Sequence, residues 1–262
     1  MLAILFNILI IFCIIYVIKQ REYHESFNNY NTPIKYKLNL INLDKNVDRL
    51  LLINKQCQRE NINMVRFPAI YGKDLDEKQL IKDGTLYRLH SLHKGELGCA
   101  ISHITLLSKL YQTLERDEYG VIFEDDVIIP PQFNKKLTKI IRDAPDNWDI
   151  LYLGGCNIKG AQHPPYFIKP TVNLPSTNLC AHAYVVRRDT IPKLLSYLTP
   201  LYRPIDSQWR NYFKDMNVFF VNPNLVVQNK EIRSIRRDID GLPQSKYWKK
   251  HQTDITVLND GD

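Results

Sequence analysis

The chain has 262 residues, 44% hydrophobic and 24% charged, with a formal net charge of +7. It can bury a substantial core, and its cationic excess favours polyanionic partners such as nucleotide phosphates, anionic lipid or nucleic acid. The basic residues are dispersed except in Lys230–Arg237 and Lys246–His251, and no RNP, zinc-finger or helix-turn-helix pattern occurs, so no nucleic-acid partner is expected.

Leu2 to Ile18 is apolar apart from Asn7 and closes on Lys19, Gln20 and Arg21. As a helix it rises about 26 Å, the short end of a membrane span. No basic n-region precedes it and no small-x-small cleavage site follows, so a retained single-pass anchor over residues 1–20 is favoured over a signal peptide. The positive flank after the span favours a cytosolic domain, and the lack of any Asn-x-Ser/Thr acceptor fits that side. Residues 21–36 are polar and read as a stem, leaving 37–262 as one α/β domain.

Leu38–Leu43 reads as a strand, Asn46–Glu60 as a helix with an apolar face at Val47, Leu50, Leu51 and Cys57, and Met64–Phe67 as a second strand. This βαβ opening predicts a parallel sheet. Its turn, Asn42 to Asn46, has no glycine, which excludes a P-loop or a dinucleotide fingerprint. Lys73–His93 is polar and reads as short helices and loops. Leu97, Ala100, Ile101, Ile104, Leu107, Leu110 and Leu114 form one helical stripe within Gly95–Arg116. Val121-Ile122-Phe123 then leads into Glu124-Asp125-Asp126. Asp149–Leu153 is a further strand, and Asn157–Pro175, with four prolines, reads as a long loop folding over a site. Ala181–Val186 is a strand, Thr190 and Pro192 open a helix, and Asp206 precedes a short aromatic helix through Phe213. Val218–Val221 and Leu225–Gln228 complete the sheet. No Cys-x-x-Cys pair occurs; Cys57, Cys99 and Cys180 lie in apolar patterns and read as small core residues.

The three acids behind a buried strand are the most informative feature. Clustered carboxylates at a sheet edge are costly unless a cation or solvent balances them. Either they form a solvated acidic loop, or they hold a hard divalent ion, Mn²⁺ or Mg²⁺, beside substrate phosphates. On an extended backbone positions i and i+2 share a face, which selects Glu124 and Asp126 as the ligand pair.

In this order the sequence resembles glycosyltransferase family 25, which includes lipooligosaccharide galactosyltransferases and enzymes that galactosylate collagen hydroxylysine. The resemblance rests on Ile41-Asn42-Leu43-Asp44 with Asp48-Arg49, on Pro68-Ala69-Ile70-Tyr71-Gly72, and on Gly95-Glu96-Leu97-Gly98-Cys99-Ala100-Ile101-Ser102-His103 followed by Glu124-Asp125-Asp126. His182-Ala183-Tyr184-Val185-Val186, Pro204-Ile205-Asp206 and Val227-Gln228 match later blocks, while the terminal element survives only approximately as Gln228…Ser234-Ile235.

The resemblance implies a GT-A-like nucleotide-sugar-binding sandwich around a central, mostly parallel sheet. It implies an inverting hexosyl transfer, of galactose or glucose, from a UDP-sugar to a glycan or hydroxylated protein. Glu124 and Asp126 are then the metal ligands. Asn42, Arg49, Gly98, Ser102, His103, Asp125 and His182 are the expected donor-binding residues. Several carry a second reading: a surface salt bridge for Arg49, solvent exposure for Asp125, and a structural core histidine for His103 and His182. Asp206 is either a helix N-cap or the general base that deprotonates the acceptor hydroxyl. Tyr184 and Trp209 either stack on sugar rings or pack in the core. Two other readings are a catalytically inactive, membrane-tethered carbohydrate-binding homologue, which loss of the acids would favour, and a metal phosphohydrolase, which would want more His and Asp ligands.

Overall fold

The computed structural model describes residues 33–229 except Asn173, together with Tyr16, Val17, Lys19 and Gln20. The chain divides into two units, Met1–Ile34 and Lys35–Asp262. In the first, Tyr16, Val17, Lys19 and Gln20 are helical and exposed. No helix among the described residues is long and apolar enough to cross a membrane. The expected span Leu2–Ile18 lies outside them except at Tyr16 and Val17.

The second unit opens as the apolar periodicity requires. Strand β1 (Lys35–Asn42) is followed by helix α1 (Val47–Arg59), which buries Ile53 and Cys57, and by β2 (Met64–Pro68), parallel to β1. Helix α2 (Glu77–Lys82) is one short piece of the polar stretch after β2, capped by the Asp76 carboxylate on the Lys78 and Gln79 amides. Helix α3 (Lys94–Thr113) leads to β3 (Glu118–Glu124), which lies parallel to β1 with Glu124 opposite Ile41.

Next come β4 (Val127–Ile128), α4 (Phe133–Asp143), β5 (Ile150–Tyr152), the hairpin β6 (Gly160–His163) and β7 (Phe167–Pro170), β8 (Ala183–Arg187), α5 (Ile191–Ser196), α6 (Ile205–Arg210), β9 (Val218–Val221) and β10 (Val227–Gln228). The main sheet runs β2-β1-β3-β8-β5-β9-β7-β6. Three pairings are parallel (β1·β2, β1·β3, β5·β9) and four antiparallel, so the sheet is mixed, with only β8 and β7 opposing the rest. Residue alternation along β3 splits the core in two. Ile122 joins Leu97 and Leu107 of α3, Leu194 of α5 and Trp209 of α6, while Phe123 meets Phe133 of α4 edge-on at 5.7 Å. Helices therefore cover both faces.

Three expectations change. The proline-rich stretch is not a loop over the site: Phe167 and Ile168 are buried and pair it to β9, so it forms the far edge of the sheet. Val227–Gln228 does not complete the main sheet but pairs with β4 in a separate two-stranded ladder. Helix α4 is additional to the predicted elements, although Phe133, Leu137, Ile140 and Ile141 bury one face at helical spacing.

Candidate active site

Strands β1, β2 and β3 end on the same side, and the segments leaving their C-terminal ends line a cleft. Leu43 follows β1, Ala69 and Ile70 follow β2, and Glu124, Asp125 and Asp126 close β3. Arg49 of α1 and Gly95, Cys99, Ser102 and His103 of α3 complete the lining. Ligands bind at this position in open α/β sheets.

The three acids have separate fates. Asp125 is 7% exposed, and its Oδ1 accepts from Arg49 at 2.6 Å. Its Oδ2 accepts from Asn42 Nδ2 at 2.8 Å and Asn46 Nδ2 at 3.3 Å. Asn42 in turn accepts from Arg66 through its side chain at 2.9 Å and its backbone carbonyl at 3.1 Å. Asp125, Arg49 and Asn42 thus form a buried clamp that ties the β1–α1 turn to the end of β3, and the Asp125 charge is matched by a guanidinium. Glu124 and Asp126 line the cleft on either side of Asp125. Glu124 is anchored through its backbone N–H to His182 O at 2.9 Å. Asp126 Oδ2 accepts from Gln228 Nε2 of β10 at 3.2 Å.

Helix α3 carries two glycines in its first turns, at a helix-propensity cost of about 1 kcal/mol each. For Gly98 the reason is backbone approach. A Cβ on Gly98 would lie 2.6 Å from Gly72 N and 2.7 Å from Ile70 O, and one on Gly72 would lie 1.7 Å from Lys94 O. Ser102 completes the docking: fully buried, its hydroxyl accepts from Ile70 N at 2.8 Å and donates to Gly98 O at 2.6 Å. Gly98 and Ser102 therefore set the height of α3 against the turn after β2. That puts Cys99 and His103, one helical turn apart, beside Glu124. His103 Nε2 is 3.3 Å and Cys99 Sγ 3.5 Å from Glu124 Oε1. On its other side His103 Nδ1 lies 2.8 Å from the Tyr184 hydroxyl. Burial, then the nearby ionisable side chains of Tyr152, Glu124 and Cys99, hold the Tyr184 pKa well above the usual tyrosine value, so it stays a neutral phenol.

His182 and Asp206 do not line the cleft. His182 is 2% exposed, with Nε2 3.2 Å from Val226 O where the chain crosses Gly154; a Cβ there would meet Val226 O at 1.9 Å. Asp206 is no N-cap, because Pro204 holds that place and Asp206 is the second helical residue of α6. Its Oδ1 accepts from Ser207 N at 2.7 Å and its Oδ2 from Cys180 N at 3.0 Å. Cys180 is not a lone core thiol, being disulfide-bonded to Cys156. The two sulfurs lie 3.8 and 3.9 Å from Gln228 Oε1. Asp126, Gln228, Cys180 and Asp206 are therefore consecutive contacts. Tyr184 and Trp209 are fully buried core residues, edge to face at 5.5 Å.

The sequence does not single out Cys99, Asn46, Arg66 or the Cys156–Cys180 pair. Cys99 had one available signal, its i, i+4 spacing to His103 on a helix whose next element ends in acids.

Fold and site together define an α/β protein with an acid-lined cleft at its strand ends. The family model described as "Glycosyltransferase family 25 (LPS biosynthesis protein)" matches residues 36–209, and the chain belongs to that family. A glycosyltransferase 25 family member of Anopheles gambiae is 24% identical over 204 residues, covering 67% of this chain and 33% of its own. Procollagen galactosyltransferase 2 of Mus musculus is 28% identical over 149 residues, covering 52% and 23%. The chain thus spans a third or less of the length of these two relatives. Among solved structures, a glycosyltransferase involved in the glycosylation of the major capsid of PBCV-1 aligns over 79% of this chain and 97% of its own, at 11% identity and a TM-score of 0.43.

Proposed function

We propose that the protein transfers a hexose from a UDP-sugar to a hydroxyl of a glycan or protein, with inversion and with the help of a divalent metal, on a GT-A-like fold. One observation carries the reading: three consecutive acids line the cleft at the strand ends, with Glu124 and Asp126 on either side of the Asp125 that Arg49 pairs. Two carboxylates with this exposure suit a hard divalent ion, Mn²⁺ or Mg²⁺. Such an ion supplies Lewis-acid stabilisation of the diphosphate leaving group.

The chain's own residues do the rest. Glu124 and Asp126 hold the ion, and Gln228 orients the Asp126 carboxylate. Arg49, Asn42 and Asp125 fix the β1–α1 turn that forms one cleft wall. Gly98 and Ser102 fix the opposite wall. Asp206 stands three contacts from Asp126 and outside the cleft lining, so it serves as general base only for an acceptor hydroxyl that reaches its carboxylate from that side. The procollagen galactosyltransferase names among the relatives, from Mus musculus and Xenopus laevis, make UDP-galactose the first donor to test.

The test is release of UDP by the full chain across a panel of nucleotide sugars. EDTA should abolish it, and Mn²⁺ should restore it. Glu124→Gln and Asp126→Asn should each lower turnover by roughly 10²-fold or more, while thermal stability holds or rises as repulsion between the acids is relieved. Metal-independent turnover, or full activity in either variant, would refute the assignment.

A further inference from the structure

The cleft holds a second arrangement of ligating atoms, which shares only Glu124 with the metal position of the proposed hexosyl transfer. Cys99 Sγ, His103 Nε2 and a Glu124 carboxylate oxygen all lie within 4.8 Å of one another. Cys99 and His103 are four residues apart on α3 and so share a face, while Glu124 comes from the end of β3. We propose that these three residues form a binding site for a thiophilic divalent cation, zinc in the first place, distinct from the position that Glu124 and Asp126 share under a diphosphate.

The distances fit a tetrahedral ion. With zinc-to-ligand bonds of about 2.0–2.3 Å, the edges of the tetrahedron are about 3.6 Å for sulfur to oxygen and about 3.4 Å for nitrogen to oxygen. The chain places Cys99 Sγ 3.5 Å and His103 Nε2 3.3 Å from Glu124 Oε1, before any ion is added. All three side chains border the cleft, so a fourth coordination position faces substrate or solvent. Three protein ligands and one open position are the usual form of a reactive zinc site.

The imidazole is also held from behind. The Tyr184 hydroxyl, 2.8 Å from Nδ1, fixes the ring plane, as a hydrogen-bond partner on the far nitrogen does in metal–histidine sites. The atoms balance simply. Without metal, Cys99 S–H and His103 Nε2–H both donate to Glu124. On binding, the thiol proton leaves to solvent, and the imidazole carries its proton on Nδ1, donated to the Tyr184 oxygen. A thiolate in the set selects zinc, cobalt or cadmium over magnesium and manganese. Because Glu124 belongs to both positions, zinc here withdraws it from the diphosphate ion. Zinc should therefore oppose the manganese-supported reaction.

The site is tested without reference to transferase activity by titrating the chelator-stripped full chain with Co²⁺ and recording its absorption. One equivalent should bring in a thiolate-to-cobalt charge-transfer band in the near ultraviolet together with tetrahedral d–d bands, and Zn²⁺ should erase both. Cys99→Ser should remove the charge-transfer band, whereas Cys57→Ser and Asp126→Asn should keep it. Tyr184→Phe, which removes only the hydroxyl behind His103, should weaken Co²⁺ binding roughly 10–100-fold. Absence of the band in the unmodified chain, or its survival in Cys99→Ser, would overturn the proposal. Its loss in Asp126→Asn would also do so, by assigning the cobalt to the acid pair.

Discussion

Asp125→Ala should be one of the most destabilising single changes near the cleft. The Asp125 and Arg49 side chains are only 9% and 12% exposed, and they meet at 2.6 Å. Removing the carboxylate takes away the Arg49 ion-pair partner in a place shielded from most solvent, and it also removes the acceptor that the Asn42 and Asn46 amides share. Breaking a buried pair from one side costs about 3–5 kcal/mol. For a unit of this size that is a fall in Tm of roughly 6–20 °C. Asp125→Asn keeps one acceptor oxygen but loses the charge, and should cost about half as much. A double-mutant cycle isolates the pair: Arg49→Met, Asp125→Leu and the combination, unfolded in urea. The double variant should be more stable than the sum of the singles predicts, by about 2 kcal/mol or more. If Asp125→Ala costs under about 1 kcal/mol and the coupling is under about 0.5 kcal/mol, the clamp is not what joins β1 to β3.

Gly98→Ala should push α3 off the Ile70–Gly72 turn, since backbone atoms on both sides cannot yield. A loss of about 2–4 kcal/mol in stability, read by thermal melting, should come with a fall in turnover as Cys99 and His103 leave Glu124. Replacing Cys156 and Cys180 together by serine opens a 24-residue separation; chain entropy puts the loss at about 3 kcal/mol, and reductant should destabilise the unmodified chain but not the variant. Asp206→Asn should lower acceptor-dependent transfer by roughly 10²-fold or more while UDP affinity, measured by calorimetry, stays unchanged. Loss of both would move Asp206 to the nucleotide side.

The parts of the fold with strong local periodicity were legible in the sequence. The β1–α1–β2 opening, α3 and β3 follow from apolar spacing, and the placing of the acids at the strand end follows from them. The hairpin was not, because β6 is wholly exposed and shows no alternation, and prolines mask the short apolar pair Phe167 and Ile168 of β7. At the site, the i, i+2 argument separates Asp125 from its neighbours but says nothing of its role, since Asn42, Asn46 and Arg49 lie 76 to 83 residues away in sequence. The disulfide is hidden for a similar reason: two cysteines 24 residues apart fit no motif, and only the return of the chain from the hairpin to β8 brings them together. Asp206 shows the converse error. An Asp at the start of a helix reads as a cap, yet Pro204 enters the helix first and turns the carboxylate inward to Cys180.

The two margins of the sheet bear on how the protein behaves when crowded. A long, flat edge strand offers a row of unpaired N–H and C=O groups on which a second chain can continue the sheet. Among the described residues one margin, β6, is four residues long and runs directly into Pro164 and Pro165, which have no N–H to offer. The other, β2, is five residues long and ends in Pro68, with the Arg66 guanidinium folded back onto Asn42 and Asp44. Both are short and stopped by proline, so the same residues that disguise the hairpin in the sequence also keep neighbouring molecules from zipping onto it.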